Sequence, residues 1–243
     1  MVALLAERIT AVRTGIAHAC ANVGRDPQAV TLVAVSKTHP ASAVLEAVEA
    51  GLHQFGENRV EEAAGKIAAV NAQCREPLTW HMIGHLQSRK ARDAANLFDV
   101  VQSVDSVRLA SKLAQALPEG QVLTVLLECN VSGEASKGGF VLNGWERDPA
   151  VLADFARSLG EIAALPGLSV RGLMTMAPIA DDMELVRPVF RSLRVLRDAL
   201  EQSCGMALPV LSMGMTDDFP VAIEEGATMI RVGRALFGER AAL

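Results

Sequence analysis

Eight short apolar runs, each followed by a stretch of helical spacing, set the terms for this 243-residue chain. The runs are TLVAVSK, LHQFGEN, LTWHMIG, FDVVQSV, QVLTVLLECNV, LSVRGLMTM, LPVLSMG and TMIRVG. Runs this apolar read as strands buried on both faces. Between them lie helical segments such as ASAVLEAVEAG, RVEEAAGKIAAVNA, QSRKARDAANL and SVRLASKLAQAL. Helices are also expected near 148–164, 183–203 and 217–225. Leu4, Leu5, Ile9, Val12 and Ile16 predict an opening amphipathic helix. Strands alternating with helices call for a parallel sheet covered by helices. Eight units with short connections match a closed (β/α)8 TIM barrel, which typically takes about 250 residues. The rival is an open doubly wound sheet, which usually shows a G-x-G-x-x-G turn after its first strand. The chain has no such turn. A single barrel domain over residues 1–243, with an N-terminal helix, is therefore expected.

Bulk properties remove several function classes. Net charge is −5 with both signs interspersed, and no basic block or face stands out. Neither nucleic acid nor an anionic membrane is favoured as a partner. Aromatic residues are 4% of the chain and tyrosine is absent, so base-stacking platforms are not expected. Cys20, Cys74, Cys129 and Cys204 lie far apart with no C-x-x-C pair, which fits reduced thiols better than a zinc ribbon or a disulfide scaffold. The first twenty residues lack the apolar run and cleavage site of a signal peptide, and no stretch is long enough to span a bilayer. A soluble, cytoplasmic protein without a metal is the expectation, and a monomer.

Active sites of such barrels lie at the C-terminal ends of the strands. The polar residues gather there. Strand one ends in Lys37, strand two in Gly56-Glu57-Asn58, and strand three carries His81 and leads to His85. Strand five ends in Glu128-Cys129-Asn130, strand six in Met174-Thr175-Met176, strand seven in Ser212-Met213-Gly214 and strand eight in Arg231-Val232-Gly233-Arg234. The loops after strands seven and eight are the usual phosphate site of this barrel. Glycine lets the backbone approach an anion, and the N–H groups of a following helix turn point at it. A Walker loop is absent, so a single phosphate is favoured over a nucleotide triphosphate. An amine at Lys37, walled by valines, is expected to lose hydration and so keep more of its neutral form. Neutral amines condense with carbonyls to form Schiff bases. A lysine opposite a phosphate site therefore suggests a phosphorylated aldehyde or ketone.

Plainer readings compete. Lys37 could snorkel out of a strand end. His81 could be a satisfied core histidine, Glu57, Glu61 and Glu62 an acidic helix start, and the methionines at 174, 176, 213 and 215 packing. Ser212 could cap a helix. Arg231 is harder to set aside, because a cation inside an apolar strand needs a partner. The loop SGEASKGGF reads as a lid or as a flexible connection.

Taken together, LVAVSKTHP, FGENRVEE, WHMIGHLQSRK, NVSGEASKGGF, GLMTMAP, LSMGMTDDF and IRVGRALFGER resemble the pyridoxal phosphate homeostasis protein family, in order and across nearly the whole chain. The resemblance implies a barrel similar to the N-terminal barrel of fold-type III enzymes such as alanine racemase. It implies pyridoxal 5′-phosphate held as a Schiff base on Lys37. It also implies phosphate contacts from Ser212, Gly214, Gly233 and Arg234, an arginine facing the pyridine nitrogen at Arg231, and Met213, Asn58 and His81 among the cofactor-binding residues. Position 234 is arginine where a small hydroxyl residue is common, so its backbone N–H or guanidinium would stand in for the hydroxyl. Positions 82 and 89, Met82 and Arg89, depart from the usual phenylalanine and asparagine.

The implied role is a vitamin B6 carrier that captures the aldehyde reversibly and hands it to apoenzymes, without conventional catalysis. An arginine at the ring nitrogen disfavours its protonation and makes the ring a poorer electron sink. A two-base racemase would need a tyrosine, and the chain has none. Two alternatives remain open: a racemase or lyase with Lys37 as its single base, and a cofactor-free class I aldolase.

Overall fold

In the computed structural model, which describes residues 2–239, eight parallel strands close into a barrel. They are β1 (Thr31–Val35), β2 (Gln54–Glu57), β3 (Thr79–Met82), β4 (Val100–Val104), β5 (Leu123–Asn130), β7 (Leu168–Met174), β8 (Val210–Ser212) and β9 (Met229–Val232). Neighbours run in the order β4-β3-β2-β1-β9-β8-β7-β5, and β4 pairs β5 to complete the ring. The expected TIM barrel is therefore present. One strand was not expected: β6 (Phe140–Val141) pairs with the end of β5 through Cys129 and Asn130.

Helices α2 (Ala41–Glu49), α3 (Val60–Asn71), α4 (Ala91–Leu97), α5 (Val107–Ala116), α6 (Pro149–Ala163), α7 (Arg187–Cys204), α8 (Phe219–Glu224) and α9 (Arg234–Phe237) follow their strands in turn. Ser106 and Asp148 start α5 and α6 by accepting the N–H groups of Leu109 and Ala150. The long helix expected from 183 begins instead with a 3-10 turn over Met183–Val186. α1 (Val2–Asn22) buries Leu5, Ile9, Val12 and Ile16 but leaves Leu4 half exposed, so Leu4 does not belong to the apolar face. No described helix is long and apolar enough to cross a membrane.

Strand parity sorts the side chains. Ala34, Phe55, Trp80, Met82, Val101, Val125, Leu127, Leu211, Ile230 and Val232 join the core between sheet and helices. Their neighbours in sequence point into the lumen. These include Val33, Val35, His81, Gln102, Leu126, Glu128, Met174, Ser212 and Arg231, all buried. The usual filling of such a barrel is bulky and branched. Here much of it is polar.

Close strand packing forces one glycine. A Cβ on Gly172 of β7 would sit on the Val210 carbonyl oxygen and 2.9 Å from the Val210 Cα. Relief would require β7 and β8 to part along their ladder. Gly172→Ala should lower unfolding free energy by roughly 3 kcal/mol or more, measured by urea titration. A loss below about 1 kcal/mol would show that the ladder yields easily.

Candidate functional site

The strand carrying Lys37 stops sooner than expected. β1 ends at Val35, and Lys37 stands in the turn beyond it, half-buried. That turn is closed by the His39 N–H donating to the Ser36 carbonyl at 3.1 Å. Its third residue, Thr38, has φ +67°. A turn of this geometry normally takes glycine there, and a β-branched residue with positive φ is a true outlier. Something must hold it.

The holder is a buried charge cluster on β2 and α3. The Lys66 Nζ donates to the Ser36 carbonyl at 2.7 Å, to Glu57 Oε1 at 2.7 Å and to Glu62 Oε1 at 3.0 Å. The Ser36 hydroxyl donates to Glu57 Oε1 at 2.6 Å, and the Thr38 N–H donates to Glu62 Oε1 at 2.5 Å. Both flanks of Lys37 are thus pinned. Burial raises the Glu57 pKa despite the hydrogen bonds from Lys66 and Ser36. Burial acts the same way on Glu62, but its bonds to Lys66 and the Thr38 N–H win and hold it low. Glu57 and Glu62 are more than an acidic helix start; with Lys66 they fix the shape of the Lys37 turn.

Inside the lumen runs a second polar system. Arg231, buried on β9, donates to Ser212 Oγ at 2.7 Å and to the Thr175 carbonyl at 2.9 Å. The Ser212 hydroxyl donates to Gln102 Oε1 at 2.6 Å. Gln102 Nε2 lies 2.9 Å from His81 Nδ1, and His81 Nε2 lies 2.7 Å from Gln54 Oε1. Gln54 donates on to Thr79 Oγ1 at 3.0 Å. Since an amide N–H can only donate, His81 Nδ1 accepts and Nε2 carries the proton. Burial depresses the His81 pKa to about 4, so the ring is neutral at physiological pH. Burial also lowers the Arg231 pKa, to about 10, against the charges of Asp218 and Glu128. No described carboxylate makes an ion pair with Arg231; its direct partners are neutral.

The other expected residues sit around this end of the barrel. Asn58 follows β2, half-buried, with Gly84 packed so closely that a Cβ there would lie 2.8 Å from the Asn58 Cα. Gly214 has φ +94°, and a Cβ on it would meet the Ala222 Cβ at 2.7 Å. Gly233 opens α9, and a Cβ on it would lie 3.3 Å from the Val35 carbonyl oxygen. Bare backbone therefore lines both loops. Arg234 is exposed and grips Asp217 at 2.5 Å, tying the start of α9 to the loop after β8. Met213 packs into the helix-facing core, and its N–H donates to the Met229 carbonyl at 3.1 Å. The Ser212 proton is spent on Gln102, so in this structure its hydroxyl has none to offer a phosphate. His81 reaches the site only through Gln102 and Ser212. A groove of about 450 Å³ lined by Arg13, Leu32, His53 and Gln54 lies at the other end of the strands and holds none of the expected residues.

Gln102, Gln54, Lys66 and Glu128 were not among the expected site residues. Lys66 was legible: it falls on the face of α3 that buries Ala63, Ile67 and Val70. A cation at that spacing needs a buried partner.

Over residues 8–241 the chain matches the family model "Alanine racemase, N-terminal domain", which defines the class of barrel. It is 44% identical to the pyridoxal phosphate homeostasis protein of Pseudomonas aeruginosa, over 97% of this chain and 96% of that one. With the Escherichia coli K12 protein of the same name it shares 40% identity over 97% of each. PipY of Synechococcus elongatus, solved with PLP bound, superposes with a TM-score of 0.80 at 37% identity, covering 96% of this chain and all of that one. The chain belongs to the pyridoxal phosphate homeostasis protein family.

The neutral His81 makes the fold acid-sensitive. Its folded pKa is depressed, so its contribution is complete above about pH 6.5 and is lost as pH falls towards about 4. The loss amounts to roughly 3 kcal/mol. Glu57, Glu128 and Asp218, raised by burial, act in the opposite sense over that range. His81→Gln should therefore lose less stability than wild type between pH 6.5 and 4 in urea titrations, whatever its stability at pH 7. Parallel curves would mean that His81 does not titrate there.

Proposed function

We propose that this chain holds pyridoxal 5′-phosphate on Lys37 and serves as a reversible carrier of it, with the 1–243 barrel acting as one domain. The observation that carries the reading is Arg231, a guanidinium kept dry in the lumen with neutral partners only. Such a charge favours a ligand that brings an acceptor or negative charge to the barrel mouth. When bound, the coenzyme supplies an aldehyde with which an amine condenses reversibly. Family membership and the PLP-bound relative support the same ligand.

The residues present fit it. Lys37 supplies an amine from a turn pinned on both sides by Glu57, Lys66 and Glu62. Gly214 and Gly233 leave backbone bare where a side chain would fill the loop, and the first N–H groups of a helix turn suit a phosphate. Arg234, paired with Asp217, would offer its backbone N–H at that rim. Ser212 acts on Arg231, fixing the guanidinium that would face the ring nitrogen. An arginine there keeps that nitrogen unprotonated, because two cations would otherwise face each other. The ring is then a weak electron sink, which suits storage better than carbanion chemistry. Asn58 completes the rim through its placement, and Met213, its side chain in the core, would contribute backbone only. PLP-requiring apoenzymes are the recipients this role calls for, and a cytoplasmic monomer suits delivery to them.

Purified protein incubated with the coenzyme should turn yellow, and borohydride should bleach it and leave one reduced adduct on Lys37 by mass spectrometry. Lys37→Ala should lose the adduct. In deuterated water with amino acids, α-proton exchange should stay near the rate of free coenzyme. A colourless protein, or an adduct that survives in Lys37→Ala, would refute the reading; rapid exchange would make it an enzyme instead.

A further inference from the structure

One buried acid has no task in this scheme. Glu128 lies near the end of β5, on the lumen parity, 4% exposed. Among the described residues no hydrogen bond or ion pair reaches its carboxylate, whose oxygens keep a narrow opening to solvent at the mouth. Register places it level with Met174 of β7 and, one strand further, Ser212 of β8. Gly138 closes over it: a Cβ there would lie 3.2 Å from Oε1 and 3.6 Å from Oε2. That glycine belongs to a braced loop, since Asn130 donates to the Glu134 and Lys137 carbonyls at 3.0 and 3.3 Å. The charged groups facing Glu128 are Arg231 from β9, Asp105 after β4 and His85 after β3. In the loop above, Lys137 lies 3.9 Å from Glu134. Burial, then the charge of Asp105, raises the Glu128 pKa, against Arg231 and His85.

An unpartnered carboxylate in a lumen is an acceptor without a donor. The carrier role lacks one as well. Direct hand-over of the aldehyde from Lys37, without hydrolysis, calls for a primary amine, which arrives at neutral pH as an ammonium ion without a lone pair. His81 cannot deprotonate it, because both ring nitrogens are engaged.

We propose that Glu128 binds a small primary ammonium ion at the barrel mouth and takes its proton, so that amines trigger release of the aldehyde from Lys37. The inference rests on the Lys37 reading. The ammonium N–H donates to the Glu128 carboxylate, then gives up its proton to form a free amine and a carboxylic acid. The amine nitrogen bonds to the aldehyde carbon, and the bond from that carbon to the Lys37 Nζ breaks. Glu128 passes the proton to the departing Nζ. A second proton follows the same route, so that the incoming nitrogen goes from three N–H to one and the Nζ of a protonated Schiff base goes from one N–H to three; no water, oxidant or reductant is consumed. Gly138 roofs the carboxylate closely, which restricts the subsite to slender amines.

Two measurements test this. In Lys37→Ala, which cannot load, methylammonium is titrated while the Glu128 carboxyl carbon is followed by NMR, with tetramethylammonium as a control lacking N–H. A saturable shift with methylammonium alone supports the subsite; no shift, or an equal shift with both ions, overturns it. In the loaded protein, loss of the borohydride-trapped Lys37 adduct is timed with methylamine and normalised to the fraction loaded. Glu128→Gln should slow the methylamine-dependent rate roughly tenfold or more, and Gly138→Ala, which crowds the carboxylate, should slow it as well. A Glu128→Gln rate within fivefold of wild type overturns the proposal. Should wild type fail to load, the Lys37 reading falls, while the titration still decides the ammonium subsite.

Discussion

A guanidinium kept out of water inside a barrel is the constraint around which the lumen is arranged. Desolvating Arg231 costs several kcal/mol unless its N–H groups find acceptors. A carboxylate in contact would neutralise the charge and close the site to anions. The lumen instead offers a hydroxyl and a main-chain carbonyl, from Ser212 and Thr175. That choice propagates. Ser212 needs an acceptor for its own proton, which brings in Gln102; the Gln102 amide needs one, which brings in His81; and His81 needs Gln54. Four strands besides β9 surrender apolar filling to one buried charge.

The second constraint is local to Lys37. A threonine held at positive φ stores strain of order 1–3 kcal/mol and persists only where its surroundings insist on it. Glu62 insists by accepting the Thr38 N–H, and Lys66 insists by holding the Ser36 carbonyl. The two systems meet through the β1–β9 ladder, where Val33 is in register with Arg231. The turn bearing the amine and the strand bearing the guanidinium are therefore adjacent by construction.

This division explains what could be read from the chain. The barrel was legible because its strands are short, largely apolar runs that alternate with helical spacing and leave few alternatives. Lys37 and Arg231 were legible because each is a charge in an apolar run. Gln102 was not: in FDVVQSV a neutral amide between valines resembles ordinary strand variation, and only closure of the barrel shows that it faces Ser212. β6 was hidden because two residues carry no period, and it depends on Gly139, where a Cβ would lie 2.5 Å from the Glu128 carbonyl oxygen. The expected hydroxyl-to-phosphate contact from Ser212 was a reading of residue type; the direction of its proton is a property of the assembled network.

That direction bears on what the lumen can do. From Arg231 to Thr79 every hydrogen in the relay points the same way, through Ser212, Gln102, His81 and Gln54. Carrying a proton towards the mouth would require each link to reverse. The amides of Gln102 and Gln54 cannot pass a proton without changing tautomer, and His81 would have to be protonated against a pKa of about 4. At neutral pH the relay is therefore a scaffold and not a wire. It aims a guanidinium and holds it still, and any proton needed at Lys37 has to come from the mouth.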